Sequence, residues 1–428
     1  MTSKESLRQH LEDIAQKCLH CGLCLPTCPT YSITQNEQSS PRGRIHLIHA
    51  VHRGELNLTR NFVDEMYFCL DCQACETACP AGVRYGELVE ETRNQIREEK
   101  SDTLGFRILK SIFLKNILLS KSRIKYAARL MRLYEKSGLR DAVEQSEILT
   151  LFSPSLHEKH MLIPRIDGKF FDDMYPEKVN SPDQVRGRVA FLTGCIMNVS
   201  FSDIHSDALE VLLYNGLEVV IPRSQVCCGS LHAHNGELED AKDLARKNID
   251  VFEKYEYDAL VVDSAGCSAF MKEYGKVLQD DPSYCERAKA FSKKVKEITE
   301  FLAEAGFKTP LKRLSAKVTY HEACHLVHTQ KISEQPRKVI SAIPGIEFVE
   351  MNESTWCCGS AGIYNIVRYE DSMKILDRKL ENIKGTTADI VVTSNPGCHL
   401  QILYGIKKHG LKMEVLHPVS LLARAYRS

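Results

Sequence analysis

Seventeen cysteines stand in this 428-residue chain, and sixteen of them fall into four groups. The first group is Cys18-x2-Cys21-x2-Cys24-x3-Cys28, followed by Pro29, and the second, Cys69-x2-Cys72-x2-Cys75-x3-Cys79 before Pro80, repeats its spacing. Three thiolates at two-residue intervals can wrap three corners of a cubane while nearby backbone N–H groups point at its sulfurs. The proline turns the fourth cysteine away, toward a second cluster. This predicts one 4Fe–4S cluster on Cys18, Cys21, Cys24 and Cys79, and another on Cys69, Cys72, Cys75 and Cys28. Zinc would need paired CxxC units and four ligands in total, without a third cysteine at x2 and a fourth before proline, twice over.

The other two groups are Cys195, Cys227, Cys228, Cys267 and Cys324, Cys357, Cys358, Cys398. Adjacent cysteines diverge on an extended chain, so each CC pair suits a bridging role better than two corners of a cubane. Gly229 and Gly359 after the pairs permit tight turns close to an inorganic core. These eight are candidate ligands of one or two further iron–sulfur clusters; a structural role without metal is the alternative. His232, His234, His321, His325 and His399 lie nearby and could ligate metal, although most are expected to bond or pack instead. Cys285 stands alone and reads as an ordinary thiol.

Elements must hold these groups in place. Thr2 and Glu5 form a capping-box pattern ahead of Leu7, Leu11 and Ile14 on one helical face. Ser40-Pro41 opens another helix, with Gly54 past its end, and 85–99 reads as amphipathic. No strand pattern appears before residue 100. Residues 103–134 carry eight Lys/Arg and no Asp or Glu among Ile, Leu and Phe. They are expected to form one or two basic helices, lying on an anionic membrane or a partner, or packed on their own protein with the basic face solvated. Residues 151–187, rich in Pro, Gly and charge, are expected to be loop. From 186 an internal repeat begins. RVAFLTGC, QVCCGS and ALVVDSAGC return as KVTYHEAC, TWCCGSAG and DIVVTSNPGC, with cysteines offset by 129 to 131 residues. Each copy reads strand, helix, short strand, CCG turn, helix, strand, which implies parallel α/β units with the cysteines where strands end.

The bulk composition excludes other classes. Lys+Arg and Asp+Glu both number 56, which argues against nucleic acid as the main partner. The N-terminus has no secretory pattern, and no apolar run is long enough to span a bilayer. Thiols at short spacings without a leader point to metal ligands in a reducing compartment. The expected location is cytoplasmic, with a peripheral position on the inner face of the cell membrane as a variant. No G-x-G-x-x-G or P-loop pattern suggests a dinucleotide or ATP site.

The order of two ferredoxin runs, linker and two CCG repeats resembles the iron–sulfur subunit of glycolate oxidase. The resemblance is carried by CLHCGLCLPTCPTY with SPRGRIHLI, CLDCQACETACPAGVRY, SAGCSAFMKEYG and WCCGSAGIYNI. It extends to heterodisulfide reductases and the iron–sulfur subunit of anaerobic glycerol-3-phosphate dehydrogenase. The heterodisulfide reductase pattern ends in CxxC; this chain has Ser264-Ala-Gly-Cys267 and Asn395-Pro-Gly-Cys398 instead. The resemblance implies an α+β multidomain protein: an α-helical ferredoxin domain (1–100), a basic helical connector and loop (101–185), and two duplicated α/β cysteine-rich domains (186–310 and 311–428). It implies an oxidoreductase subunit, not catalytic alone, that carries electrons from the FAD of a partner oxidising a 2-hydroxy acid to a quinone or other acceptor. The alternatives are a catalytic thiol/disulfide oxidoreductase, or the equivalent subunit of a lactate or glycerol-3-phosphate dehydrogenase.

Overall fold

The computed structural model describes residues 3–99, 111–166 and 168–427. The first of these stretches is helical and contains no strand among its described residues. Helices Ser3–Gln16, Pro41–His52, Arg60–Phe68 and Tyr85–Glu99 surround a core of Ile14, Ile48, Met66, Leu88 and Val89. The expected Ser40-Pro41 start is observed: Ser40 Oγ accepts from the Gly43 N–H at 3.0 Å, and proline occupies the first turn. Gly54 takes a positive φ of 76° just past this helix. Thr2 of the predicted capping box lies outside the described residues. The cysteine runs occupy the irregular segments that these helices bracket.

Two cations of the linker are turned inward, while Arg123 and Arg129 keep part of the expected basic face exposed. In helix Lys121–Lys136, Lys121 and Lys125 both bond Asp172, at 2.9 and 2.7 Å, and Lys125 also reaches Asp173. Ile124 and Ala128 pack with Leu192, Cys195 and Val199 of the first repeat. Tyr126, Leu130 and Leu133, spaced along one face, are exposed instead. The 103–110 part of the predicted basic helix lies outside the described residues. The expected loop at 151–187 contains helices Pro154–Met161 and Phe171–Met174 and a short strand. Pro154 at a first helical turn explains the first, because proline is tolerated there.

Among the described residues, nine strands form two sheets. β1 (Lys178–Val179), β2 (Gly187–Phe191), β3 (Leu217–Val220), β4 (Ala259–Val262) and β5 (Val295–Glu297) make a five-stranded sheet in the order β1-β3-β2-β4-β5. β6 (Ala316–His321), β7 (Ile346–Phe348), β8 (Ile390–Thr393) and β9 (Glu414–Leu416) make a four-stranded sheet in the order β7-β6-β8-β9. All pairs are parallel except β1 with β3. The two sheets share one topology apart from the added β1, as a duplicated sequence requires. Val189 to Phe191, Leu260 to Val262 and Val391 to Val392 are buried on both faces, which is why these strands read as continuous apolar runs. One apolar core spans both sheets, joining Phe191, Val219 and Val261 to Tyr320, Val318 and Val392. Helix Pro418–Arg427 of the second repeat contributes Val419, Leu421 and Leu422 to it and pairs Arg427 with Glu210 of the first.

Candidate functional site

Each repeat brings its four cysteines together at the carboxyl ends of its strands. Cys195 follows β2, Cys267 follows β4, and the Cys227–Cys228 pair lies in the loop after β3. Cys227 and Cys195 sulfurs are 3.4 Å apart. The hydrogen bond shared with Cys227 and burial push the Cys195 thiol well up, and contacts with Cys227 and Cys267 push Cys228 up likewise. The second repeat follows the same arrangement. A hydrogen bond to Cys357 and burial push Cys324 up, and Cys358 touches both Cys357 and Cys398. Gly359 holds the turn at φ +89°, and its N–H donates to Cys357 Sγ at 3.4 Å. The two terminal loops are tied across the repeats: the Ala265 N–H bonds the Ser394 carbonyl at 3.0 Å, and the Gly266 N–H bonds Asn395 Oδ1 at 3.1 Å.

Both tetrads open onto one cavity of about 820 Å³, whose walls include all eight repeat cysteines together with Cys69, Asp71, His234 and His325. The sequence presents the repeats as separate units; folding gives them a common chamber.

One cavity joins cysteines of the two N-terminal runs. Cys28, from the first, lines a small cavity with Cys69, Cys72 and Cys75, from the second. Burial pushes the Cys72 and Cys75 thiols well up, reinforced by the neighbouring sulfurs, Cys28 and Cys69 among them. Cys18, Cys24 and Cys79 pack against one apolar core, and Cys21 is exposed. Burial pushes Cys24 up to about 11, with Cys18 and Cys28 adding to it. Buried thiols crowded in this way fit a soft cationic core, because metal binding displaces their protons and relieves their mutual repulsion. The donor sets of Cys28, Cys69, Cys72 and Cys75 and of the two repeats therefore fit iron–sulfur clusters.

Other residues reach these sets without any spacing signal. Arg44 is fully buried beside the Cys28/Cys69/Cys72/Cys75 cavity, donating to Thr30 Oγ1 and the Ser39 and Glu65 carbonyls at 2.9 to 3.1 Å. Asp71, between Cys69 and Cys72, is buried with His234 at 3.2 Å, and His234 also bonds Glu90 at 2.7 Å. Burial opposes charge on His234, but Asp71 and Glu90 more than offset it and hold the imidazole up at about 10. Lys379, also buried, donates to the Glu353 and Ser354 carbonyls beside the second tetrad. Of the histidines noted from sequence, His232 bonds the Leu114 carbonyl at 3.0 Å, His399 packs edge-on to Phe201 and His325 packs edge-on to His234. Cys285 starts helix Cys285–Lys294 and lines neither cysteine cavity.

The ferredoxin portion is seated on both repeats. Phe68, Leu70 and Cys72 share an apolar cluster with Trp356, Cys357 and Ile375, and Cys324 packs against it. Arg93 donates to the His234 carbonyl at 3.1 Å, and Lys276 pairs with Glu87 at 2.7 Å. Among the described residues, no helix is long and apolar enough to cross a membrane.

Comparison with known proteins finds family matches in four stretches of the chain. Residues 14–83 match a family described as a 4Fe-4S dicluster domain, residues 189–272 and 318–403 a cysteine-rich domain, and residues 106–162 the linker region of the glycolate oxidase iron–sulfur subunit. A probable glycolate oxidase iron-sulfur subunit of Bacillus subtilis is 38% identical, over 99% of each chain. The glycolate oxidase iron-sulfur subunit of Escherichia coli is 28% identical over 93% of each. A fumarate reductase (CoM/CoB) subunit of Methanothermobacter marburgensis is 28% identical over 96% of this chain and 72% of its own. Matched in its dicluster, linker and cysteine-rich segments and 38% identical over nearly the whole length of one such relative, the chain belongs to the family of glycolate oxidase iron–sulfur subunits.

Proposed function

We propose that this iron–sulfur subunit takes electrons from the FAD of a partner that oxidises a 2-hydroxy acid, glycolate by the names of its relatives, and delivers them to a quinone or other acceptor. Cys18, Cys21, Cys24 and Cys79 would hold one 4Fe–4S cluster, and Cys69, Cys72, Cys75 and Cys28 the other. Cys195, Cys227, Cys228 and Cys267, with Cys324, Cys357, Cys358 and Cys398, would hold one or two more. Such clusters supply one-electron redox couples whose potentials depend on charge, hydrogen bonds and exposure. The domain division is proposed at 1–100, 101–185, 186–310 and 311–428, with β1 joining the first repeat through its pairing with β3.

The observation that carries this reading is the contiguity of the thiol sets. Cys28 lines one cavity with Cys69, Cys72 and Cys75, Cys72 shares an apolar cluster with Cys357, and Cys69 lines the cavity common to both repeats. The protein's own contribution is to hold these sets close together, with Cys28, Cys72, Cys75, Cys195, Cys227, Cys228, Cys357, Cys358 and Cys398 buried. In the complex with its flavoprotein, Cys69→Ser should leave the flavin reducible by the 2-hydroxy acid but stop reduction of a quinone analogue. Oxidation of the hydroxy acid by the isolated chain would overturn the relay. The shared cavity favours one second reading, a thiol or disulfide substrate at the repeats, which disulfide reduction by the isolated chain would reveal.

A further inference from the structure

Among the positions where the two repeats differ, one lies against the sulfurs of the second repeat. Three residues before the first cysteine stands Leu192 in the first repeat and His321 in the second. Both side chains are buried, at 2% and 1% exposure. Leucine shows that the fold at this position needs only apolar bulk. Packing does not require an imidazole there, and a buried polar ring without partners is disfavoured. Among the described residues, neither ring nitrogen of His321 makes a hydrogen bond. Its nitrogen and the sulfurs of Cys358 and Cys398 all lie within 4.8 Å of one another.

We infer that His321 is a metal ligand of the second repeat, completing a mixed imidazole–thiolate site where the first repeat offers thiolates alone. The strand places it there: His321 is the last residue of β6, three residues before Cys324, beside Thr393 of β8 and near the loop that carries Cys398. Asn395, in that loop, offers no thiolate and donates to Cys398 Sγ at 3.7 Å. Imidazole and thiolate are both ligands that iron accepts, and imidazole in place of thiolate raises a cluster's potential. The inference rests on the proposal that the second-repeat cysteines hold a cluster, and it makes the two repeats inequivalent electron carriers.

The test uses the full chain, purified anaerobically after labelling with ¹⁵N-histidine, and pulsed EPR of its reduced clusters. A ¹⁵N hyperfine coupling is expected in the native protein, and it should vanish in His321→Leu, the residue of the first repeat. Should His321→Leu also lose iron, His321→Cys is expected to restore the iron and lower the midpoint potential of one signal, without nitrogen coupling. Absence of coupling in the native protein, or coupling that survives either substitution, overturns the inference. Cys358→Ser distinguishes the cluster from its histidine ligand. Unchanged iron there removes the cluster reading itself, whereas lost iron together with an uncoupled native protein removes only the histidine.

Discussion

Arg44 places a permanent positive charge inside the N-terminal core, where burial alone would make it costly. Four hydrogen bonds to Thr30, Ser39 and Glu65, one of them an ion pair with the Glu65 carboxylate at 3.4 Å, offset that cost, as does the proximity of Cys28 and Cys69. The same charge would favour an electron-rich cluster on Cys28, Cys69, Cys72 and Cys75. Arg44→Gln is expected to destabilise the protein by roughly 3 kcal/mol, since it strands buried carbonyls. It should also lower the midpoint potential of one N-terminal cluster, whereas Arg44→Lys restores part of both; denaturant titration and redox-poised EPR measure them. His234 makes a different prediction. Its folded pKa, about 10, lies above the ordinary 6.5. Its contribution is therefore complete below pH 6.5 and is lost as the pH rises through 10. Stability of the native protein should fall across that window, and His234→Gln should be less stable at neutral pH and show a flatter profile there. Equal slopes in the two proteins would assign the pH dependence to other groups.

At the scale of elements, the CCG turns and the linker helix carry the consequences. A Cβ at Gly359 would sit 2.6 Å from the Ser372 carbonyl, in a backbone with φ +89°. Gly359→Ala should cost more than the ~1–2 kcal/mol of a left-handed residue, because of the added clash, and should deplete iron from the second repeat. Gly385, with open space around it near the end of helix Tyr369–Thr386, is the control: alanine there should be neutral or stabilising in the same denaturant titration. Asp172 clamps the linker through Lys121 and Lys125. Asp172→Ala should cost roughly 3 kcal/mol and expose helix Lys121–Lys136 to proteolysis. A linker that remained protected would show that Ile124 and Ala128 suffice to hold it. The linker also shows where sequence stops being legible. Its eight basic residues are visible locally, but Asp172 and Asp173, which turn two of them inward, lie about fifty positions downstream. β1, β5 and β9, of two or three residues each, carry no period long enough to read. The cysteine runs and the repeats were readable because ligand spacing and buried strands are local patterns. The shared cavity, Arg44 and the pairing of Asp71 with His234 are products of tertiary contact alone.

At the scale of the whole molecule, the seating of the ferredoxin portion on the second repeat converges on Trp356. This side chain is 6% exposed, donates from its indole N–H to the Ile375 carbonyl, and lies under the Arg378 guanidinium at 3.9 Å. It packs in the cluster that holds Cys72 beside Cys357. Polar contacts surround that apolar patch: Arg378 to Ser32 at 2.9 Å, His328 to Thr77 at 3.0 Å and Thr329 to Gln73 at 2.8 Å. The apolar centre excludes water and the polar rim fixes orientation, the usual division within an interface. Removing the indole should therefore loosen the seating without emptying either cysteine set. Trp356→Ala is expected to cost roughly 3–5 kcal/mol. Hydrogen exchange should rise in helix Arg60–Phe68 and in the Cys69 to Cys75 loop, while the iron content stays unchanged. In the complex, substrate would still reduce the partner's flavin at the native rate, but electron arrival at the repeat cysteines would slow. Trp356→Phe, which keeps an aromatic face for Arg378, should recover most of the protection. If exchange rose only around Ile375 and electron arrival kept its native rate, Trp356 would be a core residue of its own repeat, and the seating of Cys72 would depend on the polar rim.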